Sequence, residues 1–279
     1  MEFDEHYIGS LCVSVSFDGE RAWGSAPVLP QAFAPGSTTI RTGILATYVD
    51  IVGGHVPSGA LGPTVDLRVQ VVAPPPTDGT VRLEGRVLRV GGRLVVAETA
   101  LHSGDDPRPF ALAVSTFRNH HLGMVLPEPR SARPAMAEAS FDELLAVSVR
   151  DERTLELTPT PRLANGVQGT VQGGVQALFA EMAAEHAVGA GQPMTARDLD
   201  IRYLDRLGTG PLVAAVDLSP GRDGCVPARV RLTDGADGHL VAFVSVTMHP
   251  AGEQGGGASG RRAAARRRGD TRERLRRRR

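Results

Sequence analysis

"RTGILATYVD", residues 41 to 50, and "QGGVQALFAE", residues 172 to 181, are written to one plan. Each has glycine near its front, an apolar run behind it and a carboxylate, Asp50 or Glu181, in the tenth place. The apolar residues lie nearly all round the helix that this spacing predicts, which marks a helix buried in a core rather than resting on a surface. The two stretches start 131 positions apart.

The segments after each helix repeat as well. After the first come "TVDLRVQVV" (64–72), "TVRLEGRVLRV" (80–90), "RLVVAETALHS" (93–103) and "FALAVSTFR" (110–118). After the second come "RDLDIRYL" (197–204), "PLVAAVDLS" (211–219), "CVPARVRLT" (225–233) and "LVAFVSVTM" (240–248). All mix β-branched residues with period-two alternation between Gly, Pro or Asp turns, the pattern of an antiparallel sheet with one wet face. In the second stretch Val81, Leu83 and Gly85 face one way and Arg82, Glu84 and Arg86 the other. Ahead of each helix lies one more β-like stretch, residues 8–25 and 144–159, so each half reads β–α–β–β–β–β. A self-comparison that holds its offset over this many elements predicts a duplicated α+β unit.

The composition sets the boundaries. The first unit spans 1–118, a linker without apolar periodicity spans 119–140, and the second unit spans 141–250. Residues 251–279 are Gly- and Arg-rich, too poor in apolar side chains to offset their ordering entropy, and are expected to be disordered. From Gly260 to the end 11 Arg face two acids, Asp270 and Glu273, which leaves 20 Arg against 29 acids in residues 1–259. The body is therefore acidic, and the tail carries no aromatic residue to stack on bases; no specific nucleic-acid partner is expected.

With 41% hydrophobic residues the chain can bury a substantial core, but no uncharged apolar run approaches the roughly 18 residues of a membrane span. The acidic "MEFDEHYIGS" start lacks a signal peptide's basic and apolar regions. A cytoplasmic protein with no membrane partner is expected. Cys12 and Cys225 lack metal-type spacing and read as small buried apolar residues, and His120, His121 and His186 have no third ligand at metal spacing, so neither a metal nor a cofactor is predicted.

A buried helix wrapped by a curved antiparallel sheet, entered through glycine and carrying an acid, resembles the hotdog fold, and more narrowly the phenylacetyl-CoA-type acyl-CoA thioesterases. Their hallmark is Asn, then His-Gly-Gly opening the helix, then an acid nine positions after the His. The second half has Asn165, Gln172 at the His position, Gly173-Gly174 and Glu181. The first has Arg41 at the His position, Thr42-Gly43 and Asp50. The resemblance covers residues 3 to 250 and implies two tandem hotdog units forming a pseudo-dimer that hydrolyses acyl-CoA.

Helix geometry adds a constraint. Eight residues separate Gly173 from Glu181, about 12 Å at 1.5 Å per residue, so one carbonyl cannot touch both a helix entrance and that helix's own acid. If the two helices pack antiparallel about a pseudo-two-fold axis, each acid reaches the other entrance and both sites are composite. A helix N-terminus offers unpaired N–H groups and a partial positive charge for an oxyanion, and glycine there lets a substrate carbonyl approach. Site one would combine Asp50 with Asn165, Gln172, Gly173 and Gly174; site two would combine Glu181 with Arg41, Thr42 and Gly43.

Site one is the expected catalytic site. By resemblance the Gly173 N–H polarises the thioester carbonyl while Asp50 attacks it or activates water, and apolar neighbours Tyr48, Val49 and Ile51 would raise the Asp50 pKa. Gln172 can donate a hydrogen bond but cannot shuttle a proton. Arg41 is expected either to pair with Glu181 or to bind a ligand carboxylate or phosphate. Arg89 and Arg93, flanking a hairpin turn, are candidates for the CoA phosphates. Without a His, a non-catalytic acyl-CoA-binding protein is the alternative, and a hotdog dehydratase ranks below both. The pseudo-dimers could associate further through their sheet faces into homo-oligomers.

Overall fold

The structure is a computed structural model that describes residues 7–18, 20–55, 61–119, 140–164, 170–189, 191 and 193–251. The first half contributes α1 (Tyr7–Ser10), β1 (Ser14–Phe17), β2 (Arg21–Pro27), α2 (Thr42–His55), β3 (Leu61–Val71), β4 (Thr80–Val90), β5 (Leu94–Ser103) and β6 (Pro109–Asn119). The second contributes α3 (Phe141–Leu145), β7 (Ser148–Asp151), β8 (Thr154–Leu157), α4 (Gly173–Val188), β9 (Met194–Tyr203), β10 (Leu212–Leu218), β11 (Val226–Asp234) and β12 (Leu240–Pro250).

All twelve strands join one antiparallel sheet in the order β1-β2-β4-β5-β6-β3-β9-β12-β11-β10-β8-β7. Counted inward from its two edges, the sheet is built in the same succession twice and closes where β3 meets β9. At that seam Arg68 stands opposite Asp200, Asp66 opposite Arg202 and Gln70 opposite Asp198. Bonds from Arg68 to Asp198 and from Arg202 to Asp66 and Asp200 lace it on the solvent side. Being exposed, these pairs contribute little individually and chiefly match the register.

α2 and α4 lie side by side in the lap of the sheet. Every residue of α2 from Thr42 to Val49 is buried, as is every residue of α4 from Gly174 to Ala184. The inner-facing Val81, Leu83 and Gly85 of β4 are buried too, as their alternation predicts. A single apolar cluster draws on both helices and both halves of the sheet, so the halves share one core. Two glycines set how closely the helices approach. A methyl group on Gly43 would strike the backbone of Leu178, and one on Gly174 would overlap the Thr47 side chain. These contacts are equivalent, since Gly43 and Thr47 in α2 correspond to Gly174 and Leu178 in α4.

Three sequence expectations need correction. The stretches 8–25 and 144–159 each hold a hairpin rather than one strand, so each half has six strands. The turns were marked in the sequence: Asp18 accepts from Arg21 N (3.2 Å) and Asp151 from Arg153 N (2.8 Å), the side-chain-to-backbone bonds by which aspartate folds a chain back. Ser140, assigned to the linker, instead opens α3 through a reciprocal capping box with Glu143. Cys12 and Cys225 are only part-buried and are free thiols; Cys225 Sγ lies 3.1 Å from His249 Nδ1. The expected linker residues 120–139 and tail residues 252–279 lie outside the described residues.

Candidate functional site

Because Gly174 packs on Thr47, one helical turn further along α2 brings Asp50 beside the residue that precedes α4. That residue is Gln172, the N-cap of α4. Its Oε1 accepts from Val175 N at 3.0 Å, which turns the amide nitrogen away from the helix, and Nε2 donates to Asp50 Oδ2 at 3.3 Å. The cap thus decides which end of the amide meets the carboxylate. Thr64 Oγ1 donates to the other oxygen, Oδ1, at 2.5 Å. Register breaks on both sides of Thr64 in β3 free its side chain from the strict strand alternation and aim it at the helix.

Burial raises the Asp50 carboxyl to about 6, and the Thr64 hydrogen bond holds it below what burial alone would impose. Tyr203, at the end of β9, closes the site: its hydroxyl donates to Gly173 O at 2.9 Å, and burial first, then the Asp50 charge, keeps the phenol firmly protonated. Among the described residues nothing accepts from the N–H groups of Gly173 or Gly174. The entrance to α4 therefore presents unengaged donors next to a carboxylate of near-neutral pKa. Asn165 lies outside the described residues.

The entrance to α2 is filled instead. Glu181, fully buried, accepts from Thr42 N at 3.1 Å through Oε1 and from Gly43 N at 2.5 Å through Oε2. Burial, and then the neighbouring Glu185 charge, push its pKa well above the ordinary carboxylate range. Thr42 Oγ1 is also taken, by Ala196 O at 2.7 Å. The two donors that would greet a ligand carbonyl are consumed by the chain's own acid.

Arg41 does not pair with Glu181, as one expectation had it. Its Nε and Nη2 bond Glu185 at 3.1 and 3.0 Å, and its Nη1 and Nη2 bond Asp142 at 3.1 and 3.0 Å. Glu181 is already held by backbone N–H groups, so the guanidinium reaches the next acid along α4. Burial works against the charged guanidinium, but Glu185 and Asp142 more than offset it and Arg41 stays charged. Gly43 and Gly174 also make room for the opposite helix.

Arg89 and Arg93 are exposed at the β4–β5 turn. Asn119 ties that turn to the end of β6 through Arg93 O and Gly91 O, and Asn119 is paired with the start of β3, the strand that carries Thr64. Both arginines thus stand at the sheet end nearest Asp50. Sequence reading missed Thr64, which bonds Asp50 from the next strand along the chain, and Tyr203, whose hydroxyl bonds Gly173 O from β9; only the strand break around Gly62-Pro63 hinted that Thr64 leaves the alternation.

Elsewhere, Asp234, Asp237 and His239 cluster closely enough to hold an ion, but Asp234 already accepts from Gly208, Gly210 and Ala236 N–H groups, the arrangement of a loop staple. A groove of about 790 Å³ lies on the outer sheet face, away from both helix entrances, lined by alternating arginines and acids. Among the described residues no helix is long and apolar enough to cross a membrane.

No family model and no curated protein matches the chain. Solved structures do. A tesB protein from Mycobacterium avium subspecies paratuberculosis is 16% identical over 87% of this chain and 97% of its own, with a TM-score of 0.62. A hot dog fold protein from Alicyclobacillus acidocaldarius is 15% identical over 89% and 97%, TM-score 0.58. Acyl-CoA thioesterase II TesB2 from Mycobacterium marinum is 12% identical over 89% and 98%, TM-score 0.54. The chain has the α+β hotdog fold. At such identities the likeness establishes the fold and leaves the chemistry to the residues.

Proposed function

We propose that the chain is a tandem of two hotdog units, with boundaries at 118 and 141, whose single working site hydrolyses an acyl-CoA thioester to a carboxylic acid and CoA. The observation that carries this reading is Asp50 held from both sides, by Thr64 and Gln172, at an α4 entrance whose Gly173 and Gly174 N–H groups meet no acceptor among the described residues. Acyl-CoA as the substrate is supported by the Mycobacterium marinum neighbour, which is named an acyl-CoA thioesterase, and by the motif resemblance to phenylacetyl-CoA-type enzymes.

A carboxylate of pKa about 6 is ionised at neutral pH yet basic enough to take a proton from water. With one lone pair on each oxygen tied down by Thr64 and Gln172, the remaining lone pairs face a water that attacks the thioester carbonyl. The Gly173 and Gly174 N–H groups stabilise the oxyanion, helped by the positive end of α4. Asp50 then returns the proton to the departing CoA sulfur, so water is split between the acid and the thiol. Gln172 orients and stabilises but transfers no proton, which is why the missing His does not remove the base. Arg89 and Arg93, exposed at the same sheet end, are the proposed partners of the CoA phosphates, a reading their exposure supports. Two free thiols fit a reducing, cytoplasmic location.

Thiol release from short, medium, aryl and long acyl-CoAs tests the reading on wild type, Asp50→Ala and Glu181→Ala. Turnover lost in the first and kept in the second is the expected result. Tight acyl-CoA binding by calorimetry without any turnover would replace it with the non-catalytic acyl-CoA-binding alternative.

A further inference from the structure

Arg41 is buried to 1% exposure between two carboxylates of unequal standing. Glu185 projects from the core helix α4 and its side chain is 12% exposed; Asp142 projects from the five-residue α3 and is 48% exposed. Each grips the guanidinium with two bonds. Beside this cluster a cavity of about 530 Å³ opens to solvent, walled by Val147, Val149, Leu155, Met182 and Met194. Val149 stays 63% exposed on β7, an apolar wall left uncovered next to a buried cation.

We propose that this cavity binds an amphipathic monocarboxylate, whose carboxylate takes the place of Asp142 on the Nη1–Nη2 edge of Arg41 while its apolar body lies along the Val149–Leu155–Met182 wall. Exchange of one carboxylate for another leaves the cluster's charge unchanged, and the guanidinium fork matches a planar carboxylate in two bonds. An organic cation would meet the Arg41 charge. A phosphate dianion would add negative charge beside Glu185 and Glu181. Asp142 is the exchangeable partner because it sits on a short surface helix, whereas moving Glu185 would disturb α4. Asp142 is then an internal stand-in for the ligand. The site is separate from Asp50 and does not rest on hydrolysis there, since binding is measured without turnover.

Calorimetry with octanoate as the probe, and octylammonium and octanol as controls, tests this on wild type, Asp142→Ala and Val149→Asp. Wild type is expected to bind octanoate weakly, at about millimolar, because a tethered competitor acts at an effective concentration of that order. Asp142→Ala removes the competitor and is expected to bind octanoate at least about tenfold more tightly, while neither control binds. Val149→Asp changes an exposed residue outside the ion cluster and is expected to weaken octanoate binding with thermal melting unchanged. Octanoate affinity unaltered by either substitution, or octylammonium binding as well as octanoate, would overturn the proposal.

Discussion

The two helix entrances are built from corresponding residues and end in opposite states. At α2 the acid from the other helix sits directly on two backbone N–H groups. At α4 the corresponding acid stops short, held by the side chains of Gln172 and Thr64. The difference traces to one position in each half. Gln172 is a polar amide that caps its own helix and intercepts Asp50, whereas the buried Arg41 bonds Glu185 and Asp142 and leaves Thr42 and Gly43 N–H groups to Glu181. Acid length matters too, since glutamate reaches one methylene further than aspartate. Two corresponding helix entrances can thus differ, one plugged by the opposite helix's acid and one not, through a single residue ahead of each helix.

The sharpest break of this comparison is Asp50→Asn against Glu181→Gln. The first is expected to lower kcat/KM by about a thousandfold, in line with loss of a general base; the second is expected to leave kcat/KM nearly unchanged, because the α2 entrance is already occupied. Equal losses in both would mean that both entrances work.

Next in size is Arg41→Met. It strands Glu185 and Asp142 and is expected to destabilise the fold by about 3–5 kcal/mol in chemical denaturation, as removal of one partner of a buried ion pair does. Gly43→Ala comes after it. Alanine ordinarily favours a helix over glycine by about 1 kcal/mol, but here its methyl group meets the Leu178 backbone, which cannot step aside. Overpacking of this kind costs about 1–3 kcal/mol, so net destabilisation is the expected sign, read from the denaturation midpoint.

The smallest effect is the most diagnostic. A base must be ionised to act, so kcat/KM is expected to rise with pH through about 6 and level off above it. Thr64→Val deletes the hydrogen bond that holds the Asp50 carboxyl down, so the midpoint of the pH–rate profile is expected to move upward. A profile unmoved by this change would separate Thr64 from Asp50 chemistry.

Much of the fold was legible because hydrophobic period and turn chemistry are local. The alternation in β4 and the all-round apolar helices read directly as strand and buried helix. The first hairpin of each half was hidden because alternation runs on through its turn, and only the Asp18 and Asp151 side chains signal the reversal. Within the site, Asp50 could be named from its place in the repeated helix, and Gln172 from the resemblance to the thioesterase motif. Thr64 and Tyr203 could not, because a strand break and a sheet crossover bring them in.

By itself the sequence determined the alternating strands, the two buried helices and the carboxylate in each, since all of these are periodicities or spacings within a few turns of chain. Only the tertiary structure decided which acid is sealed and which stays at an open entrance. That choice depends on whether the residue ahead of the helix intercepts the opposite acid, as Gln172 does Asp50, or bonds other carboxylates and leaves the acid to the backbone, as Arg41 does, and on hydrogen bonds between groups more than a hundred residues apart, whose geometry no local pattern encodes.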